Sequence, residues 1–576
     1  MLEYAIDLAA TSYLFARGHR LRLEVSSSIF GRCDRNPNSG GPFGLDTMGS
    51  AARQDVHHGR AYPSRITLPV IPPGRALGCP RPLDRCPTDR RTSVRARMSW
   101  LDDAEKETLV VEALGLLERV GIELRGSRAL PLLAAQGAIV DALTGVVRLP
   151  ADLVRSAVAQ CPRRVLMAGS APEYDVVLDE GEAAHFCSSG CAAFVLDHET
   201  GERRLSTLTD LQTATALLDE ISEVDVLWTT LTANDVPIEV RELVGYYTVL
   251  SESRKHVTFV DSPSLAEPLI GMMEIVAGSL AAFRERPRFS TLLTAASPLR
   301  VDGPLLDFHA RTAACGAPVE VYTVPMAGAT APVTLAGAIA QGLAEILGVI
   351  TALQALAPGA RVIMGVSGAI MDMRSAGISY AAPETGLMNV ACVEVAHHLG
   401  IPAAVPGLAT DAKYAGVQAG YEKALKGLVT AGAGADVISG GVGMLDAVNT
   451  LSLPQIVIDA EIVGMIRRLL GEVDLSREAM LLDMSARVGI GGDFLKEKET
   501  TKRLRAGEHF LPVVSTRQSY QAWRADGRRE VERARERMAA LLAARAARAP
   551  ALDPGLRAEL ARVCGVTPEM AHALGH

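Results

Sequence analysis

The sequence predicts an α/β protein: a (β/α)8 TIM-type barrel with a small N-terminal helical cap and a C-terminal helical extension. Three observations carry that prediction. Apolar runs of strand length recur eight times between residues 185 and 439, and helical segments separate nearly every pair. Parallel strands need such crossovers, and eight βα units imply a closed barrel. Aromatic residues make up only 4% of a chain that is 48% hydrophobic, so the core is built from Ala, Gly, Leu and Val, which suits tightly layered α/β packing. A doubly wound open sheet is the alternative, but no G-x-G-x-x-G follows the first strand.

Residues 1–97 stand apart from this pattern. They hold fifteen Arg, no Lys and eight acids, a net charge of about +7, which leaves about −15 on the remainder of a chain whose net charge is −8. No periodic apolar pattern persists after Leu23, so the segment is expected to be a disordered leader. It reads as a basic targeting arm or as a non-native stretch upstream of a true start at Met98, and the abrupt change of usage there favours the second. From residue 98 to 180 a helical cap is expected. It comprises a helix over Glu107–Gly121, another over Leu130–Gln136, a hairpin turning near Thr144 and Gly145, and a third helix opened by Pro150.

The barrel is expected over residues 181–470. Its strands are His185–Ser189, Val226–Thr232, His256–Val260, Phe289–Ala295, Val319–Val324, Val362–Val366, Ile401–Val405 and Asp436–Ser439. Residues 471–576 read as a helical extension ending in a solvated helix over Arg524–Ala547, where Arg and Glu alternate. No run of about 18 uninterrupted apolar residues is present, so no membrane-crossing helix is expected. Nine scattered cysteines favour a reducing, cytoplasmic setting, and the acidic balance argues against nucleic acid as a partner.

In a parallel barrel, chemistry collects where strands end at their C-termini. Reading those loops gives Asn234 and Asp235, Pro325 and Met326, Ser367, Asp372 and Arg374, then Glu384 in the first turn of a helix, and Asp411 and Lys413. Asp459 and Glu461 lie in the helix beyond the last glycine-rich loop. Asp411 is read equally as a helix cap and as a site residue. Acids outnumber bases, which suits a cationic ligand, with Trp228, Tyr322, Tyr380 and Tyr414 as candidate aromatic faces. Ordinary core is the alternative for Trp228 and Tyr322. His185, Cys187 and Cys191 match zinc spacing only weakly, and no second ligand pair completes a metal site. Neither a G-x-S-x-G elbow nor a phosphate-binding P-loop is present.

Several longer stretches then become specific. They are VLDHETGERRLSTLTDL ending at Leu211, TANDVP around Asp235, AAPETGLMNVA around Glu384, TDAKYAGVQAGYEKAL from Thr410, LSLPQIVIDAEIVGMIRRLL around Glu461, and VGIGGDFLKEKET with HFLPVVSTRQSYQAW near the end. Together, in this order from about Met98 to Leu542, they resemble the trimethylamine methyltransferase family. The resemblance implies a barrel that moves a methyl group from a methylamine to the cobalt of a separate corrinoid protein. On that view the chain binds no cofactor directly, and cob(I)alamin or methylcobalamin is presented by the partner. Archaeal members carry pyrrolysine. This sequence has only the standard twenty residues, which points to relatives acting on quaternary amines such as glycine betaine. The expected catalytic residues are Glu384 and Asp411. The expected substrate-binding residues are Asp235, Tyr322, Arg374, Lys413 and Glu461, with no metal. The expected partners are a corrinoid protein and a small methylamine or betaine; neither nucleic acid nor a membrane is expected, and a homo-oligomer is compatible. A non-catalytic corrinoid- or betaine-binding barrel, and a barrel methyltransferase with another acceptor, are the competing readings.

Overall fold

The computed structural model describes residues 93–94 and 96–574, apart from residues 180, 182, 261–262 and 549–550. The expected leader therefore lies almost wholly outside the described residues. At its end, Ser93–Val94 pairs antiparallel with Val473–Asp474.

Eight parallel strands form the centre: β1 (His185–Ser188), β2 (Val226–Trp228), β3 (His256–Val260), β4 (Phe289–Ala295), β5 (Val319–Thr323), β6 (Val362–Val366), β7 (Ala404–Pro406) and β8 (Val437–Val442). Each neighbours the next in chain order, and β8 returns to β1 through Val437 opposite His185. The seam between β6 and β7 is drawn together by Met364, whose N–H donates to Pro402 O at 2.8 Å. β3, β4 and β6 have the predicted limits, while β7 begins later than expected, beyond Pro402, which has no N–H for a ladder.

Each strand is followed by a helix: α1 (Leu208–Glu220), α2 (Arg241–Glu252), α3 (Ala266–Ala277), α4 (Gly303–Ala314), α5 (Leu335–Leu356), α6 (Pro383–His398), α7 (Val417–Gly432) and α8 (Leu453–Leu470). Local chemistry sets their starts. Thr207 and Asp210 close a reciprocal capping box on α1, and Pro383 opens α6 where a missing N–H costs nothing.

Helix α5 is long and apolar enough to cross a membrane by length and composition alone. Here it is buried instead. Its inner face lies on β5 and β6, and its outer face is covered by the helices Asp103–Arg119, Ala129–Ala135 and Ala151–Ala159. Those N-terminal helices were expected to cap the barrel; they pack along its flank, because α5 presents the apolar surface they bury. A Cβ on Gly348 would sit 3.1 Å from Ile122 and 3.2 Å from Leu117, so the flank packs at glycine distance.

What plugs the N-terminal end is a short hairpin, Val165–Met167 paired with Val176–Leu178. Its buried side chains join those of Cys187, Val226, Leu292, Ile363 and Val437 in one lumen cluster. The expected Arg524–Ala547 helix is broken. Gly527 takes a left-handed φ of +69°, ending one helix at Asp526, and a second runs over Glu530–Ala546. Nor is the second helix fully solvated. Ala534, Met538 and Arg545 share one face and are buried, and the helix packs on α1 and α8.

Candidate functional site at the C-terminal mouth

The loops at the C-terminal ends of the strands carry two small sheets that form a rim. One joins Phe194–Leu196 and Arg203–Leu205, from the loop before α1, to Met444–Leu445 and Thr450–Leu451, from the loop after β8. The other joins Met326–Ala327 to the hairpin Ala369–Asp372 and Gly377–Ser379. Between them the lumen opens at Thr294 of β4, an exposed residue in register with Tyr322 of β5.

Tyr322 forms the floor. It is 4% exposed, its hydroxyl lies 2.7 Å from Ser439 Oγ across the barrel, and its ring meets Trp228 edge-on with centroids 5.9 Å apart. The ring passes over Gly365, where a Cβ would lie 2.7 Å from Tyr322 Cζ and 2.5 Å from Ala404 O. Any larger residue on β6 would therefore push the floor aside. Burial, then the nearby Glu320, raises the Tyr322 phenol well above its usual range, so the ring stays neutral. Beneath it, Glu320 accepts from Thr258 Oγ1 at 2.6 Å, and His256 Nε2 lies 3.1 Å from Ser290 Oγ. Burial pushes Glu320 up to about 7 and His256 down to about 3.

The structure places the other expected site residues as follows. Asp411 lies just beyond β7 and accepts from Ser379 Oγ and from Tyr380 N–H at 3.1 Å, tying its loop to the rim hairpin. Glu384 is exposed in the first turn of α6, which that tied segment enters. Both face the C-terminal end, as the strand order requires. Arg374 sits at the hairpin tip, 92% exposed, paired to Asp372 at 3.3 Å. Lys413 is bound to Asp446 at 2.5 Å, which Arg203 also meets at 3.1 Å, so it locks two rim loops together.

Two expected ligand residues do structural work instead. Asp235 accepts from Leu208 N–H at 2.8 Å and thereby anchors the start of α1. Glu461, on α8, accepts from Val513, Val514 and Ser515 N–H at 2.5–2.8 Å and holds the extension to the barrel wall. Burial pushes the Glu461 carboxyl up, but those hydrogen bonds outweigh it and keep it below the usual range. Asp459 is likewise internal. Its carboxylate meets Lys423 Nζ at 2.8 Å, both side chains being 0% exposed, and accepts from Gly443 N–H at 2.7 Å. Lys423 also donates to Gly441 O at 2.6 Å, so the pair stitches the glycine-rich loop of β8 to α7 and α8.

Sequence reading missed Glu320, Lys423, Lys426 and Ser439. The signal for Glu320 was a single acid at alternate spacing from Tyr322 in an otherwise apolar strand, VEVYT. The two lysines lie on α7 among residues that read as surface. Lys426 donates to Tyr380 O, and burial, opposed by Asp411 and Glu422, brings it down to about 7.

The fold thus defines a (β/α)8 barrel, a class whose chemistry collects at the C-terminal face. Residues 84–564 match the family described as trimethylamine methyltransferase (MTTB), and the chain belongs to that family. It is 30% identical over 447 residues to trimethylamine methyltransferase MttB of Desulfitobacterium hafniense (strain DSM 10664 / DCB-2), covering 77% of this chain and 89% of that one. Glycine betaine methyltransferase of Desulfitobacterium hafniense (strain Y51) is 28% identical over 462 residues, 80% of this chain and 95% of that one. Among solved structures, the Methanosarcina barkeri monomethylamine methyltransferase (MtmB) aligns over 77% of this chain and 89% of its own, with a TM-score of 0.46 at 12% identity. Residues 1–67 separately match the X-Pro dipeptidyl-peptidase C-terminal non-catalytic domain. The methyltransferase match begins at residue 84, upstream of Met98.

Proposed function

We propose that the chain transfers a methyl group from a quaternary or tertiary methylamine, such as glycine betaine, to the cobalt of a separate corrinoid protein. The observation that carries the reading is the aromatic pair of Tyr322 and Trp228, set beside the exposed Thr294 toward the C-terminal ends of the strands in a member of this family. Neutral aromatic rings favour a quaternary ammonium, which has no N–H to donate and gains from π faces. All residues are of the standard twenty, so the reading takes a substrate whose nitrogen is already charged. The reduced corrinoid presented by the partner would supply the nucleophile for the methyl carbon. The partner's corrinoid would take up the methyl group with the electron pair of its reduced cobalt, while the carbon–nitrogen pair would stay on nitrogen and the amine would leave neutral. The barrel's own contribution is then positioning and exclusion of water. The 2.5 Å pair of Lys413 with Asp446, and the hold of Asp411 on the hairpin, keep the rim in place for that purpose. A cytoplasmic setting belongs to the same reading. The test mixes the protein with the candidate corrinoid protein, reduced to cob(I)alamin, and glycine betaine. Appearance of the methylcobalamin spectrum together with dimethylglycine supports it. Ligand binding without any cobalamin change would favour the non-catalytic binding barrel, and methylation of a different acceptor would favour the third reading.

A further inference from the structure

One carboxyl under the floor has no role in positioning the rim. Glu320 is fully buried on β5, two residues before Tyr322 and on the same face, so it sits about 7 Å further into the lumen. Its Oε1 accepts from Thr258 Oγ1 at 2.6 Å and from Ser290 Oγ at 3.3 Å. Its Oε2 has no hydrogen-bond partner among the described residues. Leaving a buried carboxylate oxygen bare is costly unless the group is neutral or a positive charge lies near.

The surrounding walls supply no such charge. Cys187 of β1 is pushed up by burial and stays a thiol, His256 of β3 is neutral, and Tyr322 is neutral. Trp228, Leu292, Ile363, Ala404 and Val437 complete the lumen cluster. Arg288, at the head of β4, turns to the carbonyls of Ala168 and Arg254, and Asp225, before β2, is taken by Arg467 at 2.5 Å. Among the described residues the lumen side chain nearest the C-terminal mouth in this column is Tyr322, in register with the exposed Thr294.

We propose that Glu320 is the buried counter-charge of a cationic ligand seated on the Tyr322 floor, holding its proton in part while the mouth is empty and giving it up when an ammonium occupies it. On ionisation the O–H bond breaks, the electron pair stays on the carboxylate, and the proton passes to bulk water. This rests on the reading that the ligand is a quaternary amine. The ammonium does not touch the carboxylate; it acts across the low-dielectric lumen, where charges several ångströms apart still interact strongly. Burial already holds the Glu320 carboxyl near neutrality, at about 7, so a single positive charge is enough to tip it.

The test is titration calorimetry of the full chain with tetramethylammonium chloride and with glycine betaine at pH 7, in phosphate and in Tris, whose ionisation heats differ. The expected result for the wild type is net proton release on ligand binding. Glu320→Gln abolishes the release and weakens tetramethylammonium binding about tenfold or more. Glu320→Asp keeps part of the release and serves if the glutamine variant does not fold. Binding without proton release in the wild type, or equal affinity in Glu320→Gln, overturns the assignment and leaves the quaternary-amine reading intact. Failure of both ligands to bind the wild type overturns both.

Discussion

Lys423 and Asp459 form an ion pair that is 0% exposed on both sides. Burial pulls the lysine down and the aspartate up, and their mutual attraction opposes both shifts. The pair also serves backbone: Lys423 donates to Gly441 O, while Asp459 accepts from Gly443 N–H at 2.7 Å and from Gln455 at 2.7 Å. Lys423→Ala removes one charge and leaves Asp459 with two donors but no cation. The expected cost is about 3–5 kcal/mol, the range for an uncompensated buried charge, with the Gly441 carbonyl losing its partner as well. The double variant Lys423→Met with Asp459→Leu removes both charges at similar volume and should recover most of that loss. Its residue is about 1–2 kcal/mol, because Gly441 O and Gly443 N–H then lose their side-chain partners. Urea unfolding of the wild type, Lys423→Ala, Lys423→Met, Asp459→Leu and the double variant closes the cycle, read as midpoint shifts at constant slope. A loss below about 1 kcal/mol in Lys423→Ala, or a double variant worse than both singles, would refute the claim that burial of an unpaired charge dominates here.

Other outcomes follow from the same contacts. Gly365→Ala places a Cβ against Tyr322 and the Ala404 carbonyl; it should cost about 1–3 kcal/mol and abolish tetramethylammonium binding, as checked by thermal melts and calorimetry. Lys413→Ala should weaken glycine betaine and tetramethylammonium binding equally, since its ammonium is committed to Asp446; a loss confined to betaine would mean Lys413 holds a ligand carboxylate after all. Glu320 is raised from 4.5 to about 7, so between those values the folded carboxyl keeps a proton that the unfolded one has lost. Its contribution to stability is therefore present below pH 4.5 and is lost as pH rises through about 7, by about 3 kcal/mol at most. Glu320→Gln should thus gain on the wild type between pH 5 and 8, measured by urea midpoints across that range; a constant difference would refute it. A chain beginning at Met98 lacks the Ser93–Val94 pairing with Val473–Asp474 and should be cut faster by trypsin at residues 477–505, with the melting temperature changed by less than about 2 °C.

The limits of inference from the linear chain show at particular residues. Strand and helix content was legible because it is local. HVTFV and FSTLLTA are β-branched runs closed by turns, Thr207 with Asp210 is a capping box, and a helix must separate parallel neighbours. Eight such units leave few ways to pair other than a closed ring. Family membership, too, was readable from ordered motifs. Side-chain partners were not, because they depend on which distant residues the fold brings within 3 Å. Asp235, Lys413 and Glu461 looked available in the chain; in the fold they are held by Leu208 N–H, Asp446 and three amides of residues 513–515. Glu320 and Lys423 were passed over for the opposite reason, since an isolated charge in an apolar strand or an amphipathic helix carries no sign of what will surround it. The N-terminal helices were recognised as helices, but only the apolarity of α5, seen in place between them and β5, decided that they line the flank and leave the plug to a hairpin. Local propensity is written within a few residues; desolvation and pairing are properties of the packed whole.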